Sequence, residues 1–184
     1  MKKFHFLFVV LALVSANGMA AGSAAVQQVG EKSQPTTNSS VADFKGPIDP
    51  EEQDFGAMMG LAIVDGQAGF ALIGDIAKRI IPHGFAPDVS DAVALEAQFG
   101  PIFGYGQTTL HYSVHLRWDF FKDSAWTFYA LGGVGGNYQN LSAGGRNEIF
   151  PRFGAGAFWK FFENFAMRAE ISHELIAVGA AIPF

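Results

Sequence analysis

The sequence predicts an all-β protein, an eight-stranded antiparallel up-and-down transmembrane β-barrel. Three observations predict it. First, the chain is oily: 49% of its 184 residues are hydrophobic, only 16% are charged, and 19 are Phe. Outside its leader, however, it has no run of the roughly 18 apolar residues that a membrane-spanning helix needs. Second, eight segments alternate apolar and polar residues with a period of two, which marks strands whose two faces meet different surroundings. Third, the last segment runs into a terminal aromatic, Phe184, where most soluble chains end in a polar, loosely held tail.

Residues 1–20 read as a secretory signal peptide. Lys2 and Lys3 open it, Phe6 to Val14 form a short apolar core, and Gly18 and Ala20 are small enough for cleavage before Ala21. Its removal takes away two lysines and no acid, so the formal net charge moves from −5 to −7. A mildly acidic exported chain is a poor match to nucleic acid. Residues 21–54 are rich in Ser, Thr, Gln, Asn, Pro and Ala and are expected to form a disordered periplasmic lead-in. The barrel is expected over 55–184, where the composition turns apolar, aromatic and glycine-rich. The absence of cysteine excludes disulfides, a thiol nucleophile, a Cys-based metal site and a lipid anchor on Cys.

Strands are expected at about 56–64, 69–81, 92–104, 109–121, 126–139, 149–162, 165–173 and 175–184. The first, GAMMGLAIV, alternates least well. In the second, Phe70, Leu72 and Ile76 oppose Asp75 and Arg79. In the third, Val93, Leu95, Ala97 and Phe99 oppose Glu96 and Gln98. The fourth, LHYSVHLRWDFF, is the clearest. Leu110, Tyr112, Val114, Leu116, Trp118 and Phe120 share one face, and His111, Ser113, His115, Arg117 and Asp119 share the other. A helix would mix those faces. In the fifth, Trp126, Phe128, Ala130, Val134 and Tyr138 oppose Thr127, Tyr129 and Asn137. In the sixth, Phe153, Ala155, Ala157, Trp159 and Phe161 oppose Arg152, Gly154, Gly156 and Lys160. In the seventh, Phe165, Met167, Ala169 and Ile171 oppose Arg168, Glu170 and Ser172. The eighth sets Ile176, Val178, Ala180, Ile182 and Phe184 against the small Ala177, Gly179, Ala181 and Pro183, which leave room for neighbouring large side chains. The sheet must close, because unpaired edge groups in lipid cost several kcal/mol each.

Turn lengths orient the barrel. KDSA and EN are tiny and are flanked by Trp118, Phe120, Trp126, Phe128, Trp159, Phe161 and Phe165. Short turns beside an aromatic girdle mark the periplasmic rim. Phe184 falls at the same end, as does the unusually long PHGFAPDVSD at 82–91. The other end carries DGQ, GQTT, the polar loop NLSAGGRNE at 140–148 and a tight connection at His173-Glu174.

From the leader to the terminal Phe, and most of all in the hairpins LRWDFFKDSAWTFYALGGVGG and RFGAGAFWKFFENFAMRAE, the chain resembles the small eight-stranded outer-membrane barrels of Gram-negative bacteria, OmpA/OmpX-like in architecture. The resemblance covers about 55–184. It implies residence in the cell outer membrane and contact with outer-membrane lipid. It also implies insertion by the barrel assembly machinery, with Phe184 as the assembly signal. Its outer loops are shorter than those of adhesin-like relatives, which does not favour adhesion.

The inward faces collect Asp75, Glu96, Asp119 and Glu170 against Arg79, Arg117, Arg152, Lys160 and Arg168. An eight-stranded barrel is just wide enough for side chains to fill it, and isolated buried charges are prohibitive. These nine residues are therefore expected to pair into a lumen charge network. The expected protein is a monomer with a structural, envelope role, no enzymatic activity, no cofactor and a closed, salt-bridged polar lumen. A narrow channel for small solutes is the alternative. A lipid-modifying hydrolase built on Ser113 and His111 is a weaker one, because that pair faces inward and no acid follows at useful spacing. His111 and His115 are too far apart along a strand, about 13 Å, to hold a metal by themselves. GGVGG at 132–136 lacks the Lys and the helix of a phosphate loop and is expected to let the strand bend and make room for lumen side chains. A soluble lipocalin-like barrel would carry the reverse pattern, polar outside and apolar inside.

Overall fold

A computed structural model describes residues 44–48, 52–104, 107–141 and 144–183. The signal peptide, most of the lead-in and Phe184 lie outside the described residues. The strands are β1 (Gln53–Val64), β2 (Gln67–Ile81), β3 (Asp91–Gly104), β4 (Gln107–Phe121), β5 (Trp126–Leu141), β6 (Gly144–Phe162), β7 (Phe165–Ser172) and β8 (Leu175–Pro183). Each pairs antiparallel with its neighbour in sequence, and β8 returns to β1, so the sheet is a closed barrel. The expected fold class is observed.

Alternation positions every side chain. Val114, Leu116, Phe99, Phe153, Ile171 and Val178 are half exposed or more, while their neighbours Ser113, His115, Gln98, Arg152, Glu170 and Ala177 are buried. Apolar groups form the outer wall and charged groups the inside, the inverse of a soluble barrel. In water an exposed apolar band of this extent would drive association. Against hydrocarbon it is the favoured surface.

The hairpin ends follow turn chemistry. Val64 pairs with Gln67 around Asp65-Gly66, with φ of 51° and 75°; two successive positive φ values define the turn that matches strand twist. Phe162 pairs with Phe165 around the EN turn. The KDSA turn is tied by Asp123 Oδ1, which accepts from the amides of Ala125 and Trp126, each at 2.8 Å. Those two amides hold the exposed Asp123 carboxyl below the usual carboxylate range.

Two expectations need correction. Residues 140–148 are largely not a loop, because β5 and β6 stay paired out to Leu141 and Gly144. Beyond the lipid band neither face needs to be apolar, so alternation stops while the backbone ladder continues. The barrel begins at Gln53, and Phe44–Ile48 of the expected disordered lead-in lies ordered on the rim, with Gly46 buried. Backbone hydrogen bonds hold it there, and these leave no trace in composition. The long connection at 82–90, expected from the sequence, is a folded loop centred on Asp91. Asp91 Oδ2 accepts from Trp118 Nε1 at 2.6 Å and from the Phe85 amide at 3.0 Å, and the Gly84 amide donates to the Asp91 carbonyl.

Candidate functional site: the lumen

Three arginines organise the lumen. Arg168 on β7 donates to Asp75 Oδ1 at 2.8 Å, Glu96 Oε1 at 2.6 Å, Glu170 Oε2 at 2.6 Å and the Tyr129 hydroxyl at 2.9 Å. Arg117 on β4 donates to Glu96 Oε2 at 2.6 Å, Asp54 Oδ2 at 2.7 Å and Asp119 Oδ1 at 2.8 Å. Arg152 on β6 pairs with Glu170 and, at 3.1 Å, with Glu174. The guanidinium fork supplies donors in several directions at once, which a Lys cannot do.

Followed end to end, the pairs form a ladder of alternating sign: Asp54, Arg117, Glu96, Arg168, Glu170, Arg152, Glu174. It starts near the first residues of β1 at one rim and ends in the β7–β8 turn at the other. Aromatic rings line its middle. The Arg117 and Arg168 guanidinium carbons lie 4.8 and 5.2 Å from the Phe158 ring centre, and 5.8 and 5.0 Å from that of Tyr129. Ring faces attract cations, so the Arg117 and Arg168 guanidinium groups are held both by carboxylates and by the rings of Tyr129 and Phe158.

Of the nine expected network residues, the structure brings Asp75, Glu96, Arg117, Asp119, Arg152, Arg168 and Glu170 together. Arg79 and Lys160 also line a chamber of about 320 Å³ at the end of the lumen near the KDSA turn; Arg79 there lies 5.7 Å from the centre of the Phe121 ring. Sequence reasoning missed Asp54 and Glu174. Asp54 carries the inward parity of Gly56 and Met58, so extending β1 by two residues would have found it. Glu174 sits in a turn, where parity gives no signal.

The remaining polar lumen residues attach to the same ladder. Arg152 donates to His111 Nε2 at 2.7 Å and to Ser113 Oγ at 2.9 Å. A guanidinium only donates, so His111 accepts through Nε2 and donates through Nδ1 to Asn137 Oδ1 at 3.0 Å. Both ring nitrogens are thereby used, and Ser113 and His111 each answer to Arg152 rather than to one another. A hydrolase needs its base bonded to the nucleophile, and this arrangement does not supply that. His115 stands apart, 3.2 Å from Glu96 Oε1. GGVGG has a packing role at Gly133, where a Cβ would lie 2.3 Å from the Val114 carbonyl oxygen and 2.5 Å from the His115 Cβ.

One patch of the lumen wall is apolar. Met58, Ala62, Ala71, Ile73, Ile102, Leu175 and Ala177, from β1, β2, β3 and β8, pack as one apolar cluster. On the outside, aromatic rings pack side by side in two groups at the rim of the short turns. Ring centres are 5.9 Å apart for Trp126 and Trp159, 5.4 Å for Trp159 and Phe161, 5.3 Å for Phe161 and Phe165, and 5.0 Å for Trp118 and Phe120.

A closed eight-stranded barrel with charges inside, an apolar band outside and aromatics at one rim defines the outer-membrane barrel architecture. Solved structures agree on the fold. The N-terminal β-barrel domain of Pseudomonas aeruginosa OprF is similar with a TM-score of 0.56 at 16% identity, covering 73% of this chain and 98% of that one. Ail, the attachment invasion locus protein of Yersinia pestis, is similar with a TM-score of 0.50 at 16% identity, covering 73% and 97%. A de novo designed transmembrane β-barrel reaches 0.51 at 15% identity, covering 73% and 97%. No family model and no curated protein matches the chain. At such identities the likeness is one of fold; function has to be argued from the lumen.

Proposed function

We propose that this chain is a monomeric outer-membrane protein with a structural role in the envelope and a lumen closed by its own charges. The observation that carries this reading is the ladder from Asp54 to Glu174, whose central members Glu96, Arg152, Arg168 and Glu170 have side chains with no solvent exposure. An ion crossing that level would have to break charge-assisted pairs in a low-dielectric interior, where they are strongest. The ladder also ties β1, β3, β4, β6 and β7 together from within, which suits a part that holds its shape. In this reading the short turns and girdle face the periplasm, the apolar band contacts outer-membrane lipid, and Phe184 is the signal read by the barrel assembly machinery after export. No catalytic role is assigned.

The test is heat-modifiable gel mobility of the protein recovered from outer membranes. The expected result is a fast-migrating folded band that shifts on boiling. Recovery of the mature protein from the soluble periplasm would overturn the reading.

A narrow channel for small solutes is the second reading. It is favoured by one observation: both ends of the lumen widen, into the chamber of about 320 Å³ at one end and a space of about 350 Å³ lined by Asp65, Gln67, Gln107 and Gln139 at the other. This leaves the ladder as the barrier between them. Current steps in a planar bilayer are required by this reading and excluded by the first.

A further inference from the structure

Phe44–Ile48 belongs to no strand, yet it is fixed at several points. The Phe44 carbonyl accepts from the Ser90 amide at 2.7 Å, and the Gly46 amide donates to the Phe121 carbonyl at 3.0 Å. The Phe44 ring meets the Phe128 ring edge-on at 6.0 Å. Gly46 lies against the KDSA turn so closely that a Cβ would be 2.7 Å from the Asp123 amide nitrogen. Only glycine fits there.

These contacts place Phe44 on the outer face of β5 and Gly46 at the β4–β5 turn. A few residues later, Gln53 begins β1. In a ring of eight strands β1 and β5 are diametrically opposed, and the described residues Phe44–Ile48 and Gln53 stand at these two sides of the mouth. Pro47 and Ile48 line the chamber of about 320 Å³ whose other walls include Arg117, Asp119, Thr127 and Phe158. That chamber ends on the first members of the ladder, Asp54 and Arg117. Among the described residues, Phe44–Ile48 is held by hydrogen bonds to Ser90 and Phe121 and by a ring contact rather than by a strand ladder, so it can open locally while the barrel stays closed.

We propose that Phe44–Ile48 is a lid on this mouth of the lumen, and that the seating of Gly46 on the KDSA turn governs access to the chamber beneath. The lid faces the periplasm if the proposed membrane orientation holds; the lid itself does not depend on it.

The chain has no cysteine, so single thiols can report access. Thr127→Cys places one in the chamber wall, and Glu163→Cys places one on the exposed β6–β7 turn. Full-length protein refolded in detergent micelles is labelled with a charged methanethiosulfonate reagent, and heat-modifiable mobility confirms the barrel in each sample. With the lid intact, Thr127→Cys is expected to react several-fold more slowly than Glu163→Cys. Adding Gly46→Val, or deleting residues 21–48, is expected to accelerate Thr127→Cys several-fold and leave Glu163→Cys unchanged. Equal Thr127→Cys rates in all three backgrounds would overturn the lid. Loss of the folded band in both lid variants would also overturn it, by making the segment part of the fold. Labelling in micelles does not depend on cellular location, so failure of the lid and failure of the outer-membrane reading give different results.

Discussion

Along β1 and β2, toward the Asp65-Gly66 turn, the inward side chains include Met58, Ala62, Ala71 and Ile73; along β4 and β7 they include His111, Ser113, His115, Arg117, Arg168 and Glu170. Both sets fill the same narrow lumen and both are buried. The first set fills space by shape and demands only volume. The second demands partners, because each charge left unpaired there bears the full cost of lost hydration. One closed sheet thus contains two kinds of interior, and they should fail in different ways.

The largest expected effect is at the centre of the charged wall. Arg168→Ala leaves Asp75, Glu96 and Glu170 without their shared cation. Breaking a buried ion pair by removing one partner typically costs about 3–5 kcal/mol. Denaturant unfolding in lipid vesicles, followed by Trp fluorescence, should show a loss of that order. Arg168→Lys should recover little of it, since an ammonium cannot reproduce the fork.

Ile73→Ala on the apolar wall should cost about 2–5 kcal/mol by leaving a cavity. Here the conservative exchange should succeed: Ile73→Leu is expected to cost less than about 1.5 kcal/mol. If Arg168→Lys were tolerated as well as Ile73→Leu, the distinction between the walls would fail.

Tyr129→Phe tests the seam between ring packing and polar pairing. Its hydroxyl accepts from Arg168 Nε and donates to Glu170 Oε2 at 3.1 Å. Removing a hydrogen bond to a charged group should cost about 1.5–3 kcal/mol, measured by the same unfolding curves, with the ring contacts retained.

The division between the walls also explains what could be read in advance. Period-two alternation revealed the strands from β2 to β8 because most place polar residues inside and apolar ones outside. It was weakest in β1, where inward Met58 and Ala62 are as apolar as outward Met59 and Leu61. That irregularity was the sign of the apolar wall. Asp75, Glu96, Arg117, Asp119, Arg152, Arg168 and Glu170 share one network of contacts, because a charged residue at inward parity in so narrow a barrel meets other side chains. Glu174 and the rim segment Phe44–Ile48 were not legible. Their positions depend on turn geometry and backbone hydrogen bonds, which alternation does not encode. The girdle aromatics Trp118, Phe120, Trp126, Phe128, Trp159, Phe161 and Phe165 were legible, since parity and proximity to short turns placed them together.

The smallest expected effect lies outside both walls, in the KDSA turn. Asp123 has a carboxyl held below its usual range by the Ala125 and Trp126 amides. Its contribution is therefore complete above the unfolded carboxylate pKa and is lost as pH falls through the folded value. The stability difference between the parent and Asp123→Ala should be full at neutral pH and shrink in acid. A difference that grew on acidification would contradict the assigned hydrogen bonds.

The central claim is that the charged wall closes the lumen. Planar-bilayer recording of the purified full-length barrel at defined salt tests it most directly. If the ladder from Asp54 to Glu174 closes the lumen as proposed, no current steps rise above background. Reproducible single-channel steps from the unmodified protein would contradict it.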